Sequence, residues 1–285
     1  MPTVAPENGI FREKAMRSRF LAVLVAGVLT ASLTACGDDS ASGNVLRVGT
    51  LTDAPPAIFF KDGEFTGYDN ELLRDIAKRE GFTVEFVGTE FASLLASVAN
   101  GRFDIGSSTI STTEARKKTV AFSNGYNTEY TAIVTAKGAG LDSEKAFGGK
   151  RLGVVQASVQ DDFATNRVSG AEVVRFPDYN AGFAQLRNGT LDGWVVPKDI
   201  GQQYIKENAA VPLELGYTIE SKETPSAFAV RKDNAELLDK LNKGLTATIA
   251  DGTVAKLHAR FYRDTPLPTE LAQGGPGLPV RNPGA

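Results

Sequence analysis

One short pattern occurs twice in this chain. Val98 to Asp104 reads VANGRFD and Leu186 to Asp192 reads LRNGTLD: aliphatic, any residue, Asn, Gly, any residue, apolar, Asp. Glycine after such a run takes the left-handed conformation that closes a helix, and the apolar residue with Asp leads into a strand. Made twice, the junction predicts two similar lobes, each presenting a strand end to a shared cleft. The first copy continues into the small hydroxyl run Gly106 to Ser111 and then into Glu114, Arg116, Lys117 and Lys118. Amides and hydroxyls at a strand end with an arginine just beyond suit a small carboxylate, because the guanidinium fork matches carboxylate geometry two bonds at a time. Read alone, however, Arg116-Lys117-Lys118 also fits a solvated charged face.

A chain of 285 residues is long enough for two domains or one large one, and its 42% hydrophobic and 23% charged residues are those of an ordinary soluble protein. Cys36 is the single cysteine, so no intramolecular disulfide can form. No basic run occurs beyond the N-terminus, which argues against nucleic acid as a partner. Arg17 and Arg19 precede an apolar run from Phe20 to Leu33 that ends in Leu33-Thr34-Ala35-Cys36. A basic start, a short apolar core and small residues before a cut describe a secretory signal, and the core is shorter than the roughly 20 residues of a membrane span. The Leu-Thr-Ala-Cys ending reads as a lipobox with Cys36 as the lipidated residue; the other reading is a lone cysteine beside an ordinary cleavage site. Met16 begins a well-formed signal of its own, so the start lies at Met1 or Met16. Removing residues 1–35 takes away four basic and two acidic residues and leaves a net charge of −5.

After a polar tether over 36–44, strands and helices alternate. Val45 to Leu51 reads as a strand. Leu72, Leu73, Ile76 and Ala77 stand at helical spacing before Gly81, Phe82 to Val87 alternates, and Phe91, Leu94, Leu95 and Val98 share a helix face. Phe103 to Gly106 is the next strand, and Thr112 or Thr113 caps a short helix that holds Arg116. This order predicts a mostly parallel sheet with its ligand beyond the strand ends. Tyr130 to Ala136 reads as a strand leaving the lobe. A second set follows: strands Leu152 to Val155, Val173 to Phe176 and Leu191 to Val196, with helices from Ser158, Asn180 and Lys198. Lys222 to Val230 reads as the return strand, and Leu237, Leu241, Leu245 and Ile249 mark a long helix. The expected division is 45–136 with 231–268 for the first lobe, 137–230 for the second, and a disordered Gly/Pro-rich tail over 269–285.

Several segments resemble family-3 extracellular solute-binding proteins, over about Leu46 to Pro268. Gly67-Tyr68-Asp69-Asn70-Glu71-Leu72 is similar to that family's helix-opening signature, with Asn70 where an aliphatic is usual. Ala115 to Tyr126 matches its Glu-Arg-x-Lys-x-Val-x-Phe-Ser stretch, with Ala115 in place of the acid, and Lys150 to Asp161 resembles its second-lobe opening. The resemblance implies two Rossmann-like α/β lobes joined by a two-strand hinge, the type II architecture of periplasmic binding proteins. It implies a lipid-anchored receptor on the outer face of the cell membrane that hands a polar amino acid to the permease and ATPase subunits of an ABC importer. Carried over by position, Arg116 binds the α-carboxylate and Thr109 and Ser111 bond the carboxylate and amine. Ser158 sits at a helix start where free amides favour an anion. Read without the resemblance, Thr109 and Ser111 are equally plain strand-end hydroxyls, and Ser158 with Asp161 is a capping box.

The departures from the family fall at the site. Pro197 stands where an Asp usually pairs with the ligand ammonium, Ala54 where an aromatic stacks, and Leu51 where an acid is common. A buried ammonium without a counter-charge costs several kcal/mol, so either another acid answers it, with Asp53, Glu90 and Asp199 as candidates, or the ligand lacks the ammonium. Aromatic contact is then sought from Phe59, Phe91 or Trp194. No HEXXH, GXSXG, Cys/His or phosphate-loop pattern is present, so no catalytic residue, metal or cofactor is expected. Two other readings stand beside the importer: a sensory ligand-binding module acting with a membrane receptor, and an enzyme like cyclohexadienyl dehydratase, for which Lys198 is the suspicious neighbour.

Overall fold

The structure, a computed structural model, describes residues 44–219 and 224–282. The signal segment, Met16 and Cys36 lie outside the described residues, as does most of the tether.

In the first lobe β1 (Val45–Thr50) leads to a small antiparallel meander of β2 (Asp53–Ala54), β3 (Ile58–Lys61) and β4 (Glu64–Thr66). Then come α1 (Tyr68–Arg79), β5 (Thr83–Gly88), α2 (Phe91–Ala99), β6 (Ile105–Ser111), α3 (Glu114–Lys117) and β7 (Ala121–Phe122). The second lobe runs β8 (Thr131–Ala136), β9 (Arg151–Val155), α4 (Val159–Arg167), β10 (Glu172–Phe176), α5 (Tyr179–Arg187), β11 (Gly193–Pro197), α6 (Lys198–Glu207) and β12 (Leu213–Thr218). The chain returns through β13 (Ser226–Val230) to α7 (Ala235–Ala250), α8 (Thr253–Phe261) and α9 (Thr269–Ala272).

The two five-stranded sheets share one plan. Their orders are β5-β1-β6-β13-β7 and β10-β9-β11-β8-β12. In each, three strands run parallel, as strand–helix–strand units require, and the fourth runs antiparallel to the third. That fourth strand is the one delivered by a crossing between lobes. β8 pairs with β11 from Pro197–Thr131 to Gly193–Thr135, and β13 pairs with β6 and β7. The expected lobe boundaries are therefore corrected: 131–136 belongs to the second sheet and 226–230 to the first. Both strands are buried almost throughout, and an apolar strand carries no mark of which sheet it will join. The first crossing, 123–130, meets the start of β13 through the Tyr126 amide donating to the Ser226 carbonyl and the Ser226 amide to the Asn127 carbonyl, both 2.9 Å.

The hydroxyl run also moves: Gly106 to Ser111 is strand β6 itself, not the loop beyond it. The helix of the i+4 leucines forms as expected, with Leu237, Leu241, Leu245 and Ile249 all buried, each contributing about 1.5–3 kcal/mol. The tail is a further correction. After α9, Leu278 exchanges backbone bonds of 2.8 Å with Gly125, and the Asn282 side chain pairs with both the amide and the carbonyl of Phe122 at 2.9 and 2.8 Å. These residues satisfy the open edge of β7, which otherwise presents unpaired backbone groups.

Candidate ligand-binding site

The site begins in the first turn of α1. Asp69 and Asn70 are wholly buried, and both reach across to strand ends. Asn70 Oδ1 accepts the hydroxyls of Thr50 at 3.3 Å and Ser107 at 3.2 Å, tying β1 to β6. An aliphatic residue there offers neither bond. Asp69 Oδ2 accepts the Thr109 amide at 2.6 Å and the Tyr126 hydroxyl at 2.7 Å. Thr109 has φ 43°, a conformation that β-branched residues avoid. Burial pushes the Asp69 carboxyl up to about 7, against the lowering effect of those two hydrogen bonds.

Past Ser111, the Thr113 hydroxyl caps α3 by accepting the Arg116 amide at 3.3 Å. The Arg116 guanidinium lies 5.0 Å from the centre of the Phe91 ring. Its Nη1 donates to the Ser111 carbonyl at 2.9 Å and its Nη2 to the Ala157 carbonyl at 3.0 Å. Ser111 belongs to the first lobe and Ala157 to the second, so this one side chain spans the cleft. Across from it Ser158 caps α4, its hydroxyl accepting the Asp161 amide at 3.0 Å. Asp161 in turn accepts the Ala157 amide at 3.1 Å and pairs with Arg175 at 2.8 Å.

Between these elements lies a cavity of about 20 Å³. It is lined by Phe91, Thr109, Ser111, Arg116 and Ser158, five of the seven ligand-binding residues expected from sequence, together with Glu129, Gln160, Tyr179 and Pro197. Room for about one water-sized group means that a larger ligand enters only as the lobes part.

Two expected residues lie elsewhere. Trp194 is fully buried in the second lobe, edge-on to Phe176, Tyr179 and Phe183, with centroids 5.5, 6.3 and 6.0 Å away. It is core, on the α5 face of its sheet rather than in the cavity. Strand alternation alone did not say which face its side chain takes. Asp53 lines a different, larger crevice of about 790 Å³, with Phe59, Asp199 and Tyr262. Asp53 Oδ2 accepts the Asn180 amide at 2.7 Å, and its burial, with Asp178 near, raises its carboxyl to about 6. Asp199 accepts the Thr265 hydroxyl at 2.6 Å, and Glu90 is exposed. The crevice is the larger space, but Arg116, Thr109, Ser111 and Ser158 line the smaller cavity. Lys198, the residue singled out for an enzyme, sets its ammonium 5.9 Å from the Tyr130 ring centre and does not line the cavity.

Glu129 was not foreseen. It sits on the 123–130 crossing, 3% exposed, and accepts the Tyr262 hydroxyl at 3.3 Å. Its only signal was an acid just before a run of buried strand residues. His258, the single histidine of the chain, is buried, stacked on Tyr262 at 4.9 Å and edge-on to Tyr68 at 5.7 Å. Burial lowers it to about 4, so it stays neutral near pH 7.

Comparison with known proteins places this arrangement. The chain is 31% identical over 263 residues to the arginine-binding extracellular protein ArtP of Bacillus subtilis (strain 168), covering 86% of this chain and 98% of that one. Among solved structures it is similar to an ancestral arginine-binding protein bound to arginine, with TM-score 0.74 and 32% identity over 77% of this chain and 98% of that one. It is also similar to AncCDT-1, an ancestral amino acid-binding protein described as a precursor of cyclohexadienyl dehydratase, with TM-score 0.70 and 30% identity over 77% and 96% of the two chains. The model of the bacterial extracellular solute-binding proteins, family 3, matches residues 46–264, and with both lobes and the interlobe cavity inside that span, this chain belongs to that family.

Proposed function

We propose that the chain is the solute receptor of an ABC importer and that it captures a polar α-amino acid between its lobes. The observation that carries this reading is Arg116, whose guanidinium bonds a carbonyl of each lobe inside an enclosed cavity. A ligand carboxylate entering the parted cleft offers charged acceptors in place of two neutral carbonyls, and charge-assisted bonds are about twice as strong. Thr109, Ser111 and the start of α4 that Ser158 caps complete the carboxylate's surroundings, with Phe91 beneath the guanidinium. Closure on the ligand then follows from contacts made to both lobes at once. The names of the relatives support arginine or another polar amino acid as the ligand. Cys36 carries the lipid that holds the receptor at the outer face of the membrane, and the permease and ATPase subunits are its partners.

A thermal-shift panel of amino acids, keto acids and small organic acids on the mature chain tests this. A ligand present at about 1,000 times its Kd adds roughly 4 kcal/mol of stability. Arg116→Ala is expected to abolish that shift while the unliganded protein keeps its circular dichroism spectrum. Unchanged affinity in the variant would remove Arg116 from the site. Cys36→Ala is expected to release the protein from membranes.

A further inference from the structure

We propose that Glu129 is the counter-charge of the cavity and receives the α-ammonium of the bound amino acid, while Arg116 takes the carboxylate. This rests on the reading of the chain as an amino-acid receptor. Among the described residues lining the cavity, Arg116 is the one base and Glu129 the one acid. An enclosed space with one charge of each sign fits a dipolar ligand, whose own two charges are then both answered away from water.

The surroundings of Glu129 suit that role. It is almost wholly buried, and a hydroxyl from the first lobe, that of Tyr262, holds its carboxylate. Two acids that the sequence offered for the same part are engaged elsewhere: Asp53 on the Asn180 amide and Asp199 on the Thr265 hydroxyl, both in the other crevice. The second lobe brings Pro197 to the same cavity, a residue with no side-chain acceptor. Discrimination follows from what each analogue leaves behind. A 2-oxo acid offers the Glu129 carboxylate no cation, and an amine without a carboxylate offers Arg116 no anion, so each analogue forgoes one charge-assisted pairing. A forgone charge pairing in a buried site rejects such analogues far more strongly than a missing methylene does.

The test is calorimetric titration of the mature chain with L-arginine, L-histidine, L-lysine and L-glutamine, and with the 2-oxo analogue of whichever binds tightest. The wild type is expected to prefer the amino acid over its 2-oxo analogue by roughly 30-fold or more, the scale on which a buried charge pair is lost. Glu129→Gln is expected to weaken the amino acid by a similar factor and to bring the two ligands within about threefold of each other, as a coupled pair requires. Three results overturn the inference and leave the receptor standing: equal wild-type affinity for both ligands, Glu129→Gln affinity equal to wild type, or weakened binding with the preference intact. The first of these needs no variant, so a Glu129→Gln chain that fails to fold does not protect the inference. Wild-type protein that binds none of the four amino acids overturns the receptor reading and this inference with it.

Discussion

The amide of Thr109 donates to Asp69 Oδ2 at 2.6 Å, joining the first turn of α1 to the strand that ends at Ser111. The bond holds Thr109 at φ 43°, and Thr109 and Ser111 line the cavity beside Arg116. The helix-opening signature thus braces the site from behind without lining it.

Asp69 makes stability depend on pH. Its carboxyl moves from an ordinary 3.8 to about 7 in the folded chain because it is buried. Between those values the folded state holds more protons than the unfolded one, so this group lowers stability as pH rises through that window. Asp69→Asn, neutral throughout, is expected to gain on the wild type by a few kcal/mol from pH 4 to 7, since a tenfold change in proton affinity is worth about 1.4 kcal/mol. Urea midpoints at several pH values check this; profiles that run parallel would mean that Asp69 does not titrate in the window.

Asn70 is a buried polar residue with two hydroxyl donors, Thr50 and Ser107. Asn70→Leu keeps the volume and leaves both hydroxyls without that acceptor, an expected loss of about 1–3 kcal/mol. Equal or higher stability in denaturant titration would show that the pair is replaceable by packing.

Gly182 lies in α5 against Trp194, where a Cβ would stand 2.1 Å from the indole ring. Helix propensity alone favours Gly182→Ala by about 1 kcal/mol. The clash is expected to reverse that sign and destabilise by about 1–3 kcal/mol, read as a fall in Tm. A rise in Tm would place Trp194 off the α5 face.

Asp53 links the lobes through the Asn180 amide at 2.7 Å. Asp53→Ala removes one interlobe contact, and its unliganded form is expected to have a larger radius of gyration in solution scattering. The same expansion should appear in the wild type as pH falls through about 6, where the carboxylate gains its proton and the bond loses its charge-assisted strength. Identical scattering curves would show that this bond does not set closure.

Removal of residues 274–285 tests the correction to the tail. The truncated chain loses the buried Leu278 and the Asn282 pairing with Phe122. Burial of one such side chain is worth about 1.5–3 kcal/mol, and a loss of that size is expected. A neutral truncation would fit a disordered tail instead.

The sequence by itself determined what depends on neighbours along the chain: the helix of Leu237, Leu241, Leu245 and Ile249, a cap at Thr112 or Thr113, the cap at Ser158, and two repeated strand–helix units. These rest on side-chain period, on cap chemistry and on the helix-closing freedom of glycine, all local. It also brought Arg116, Thr109, Ser111, Ser158 and Phe91 to attention, and those five share one cavity. Tertiary structure alone decided which sheet takes β8 and β13, since two buried apolar strands differ only in partner. It decided that Trp194 faces inward, that Leu278 and Asn282 complete an edge, and that Glu129 stands in the cavity with Arg116. A carboxylate's place in a site depends on what burial and crossing geometry bring around it, and no run of adjacent residues records that.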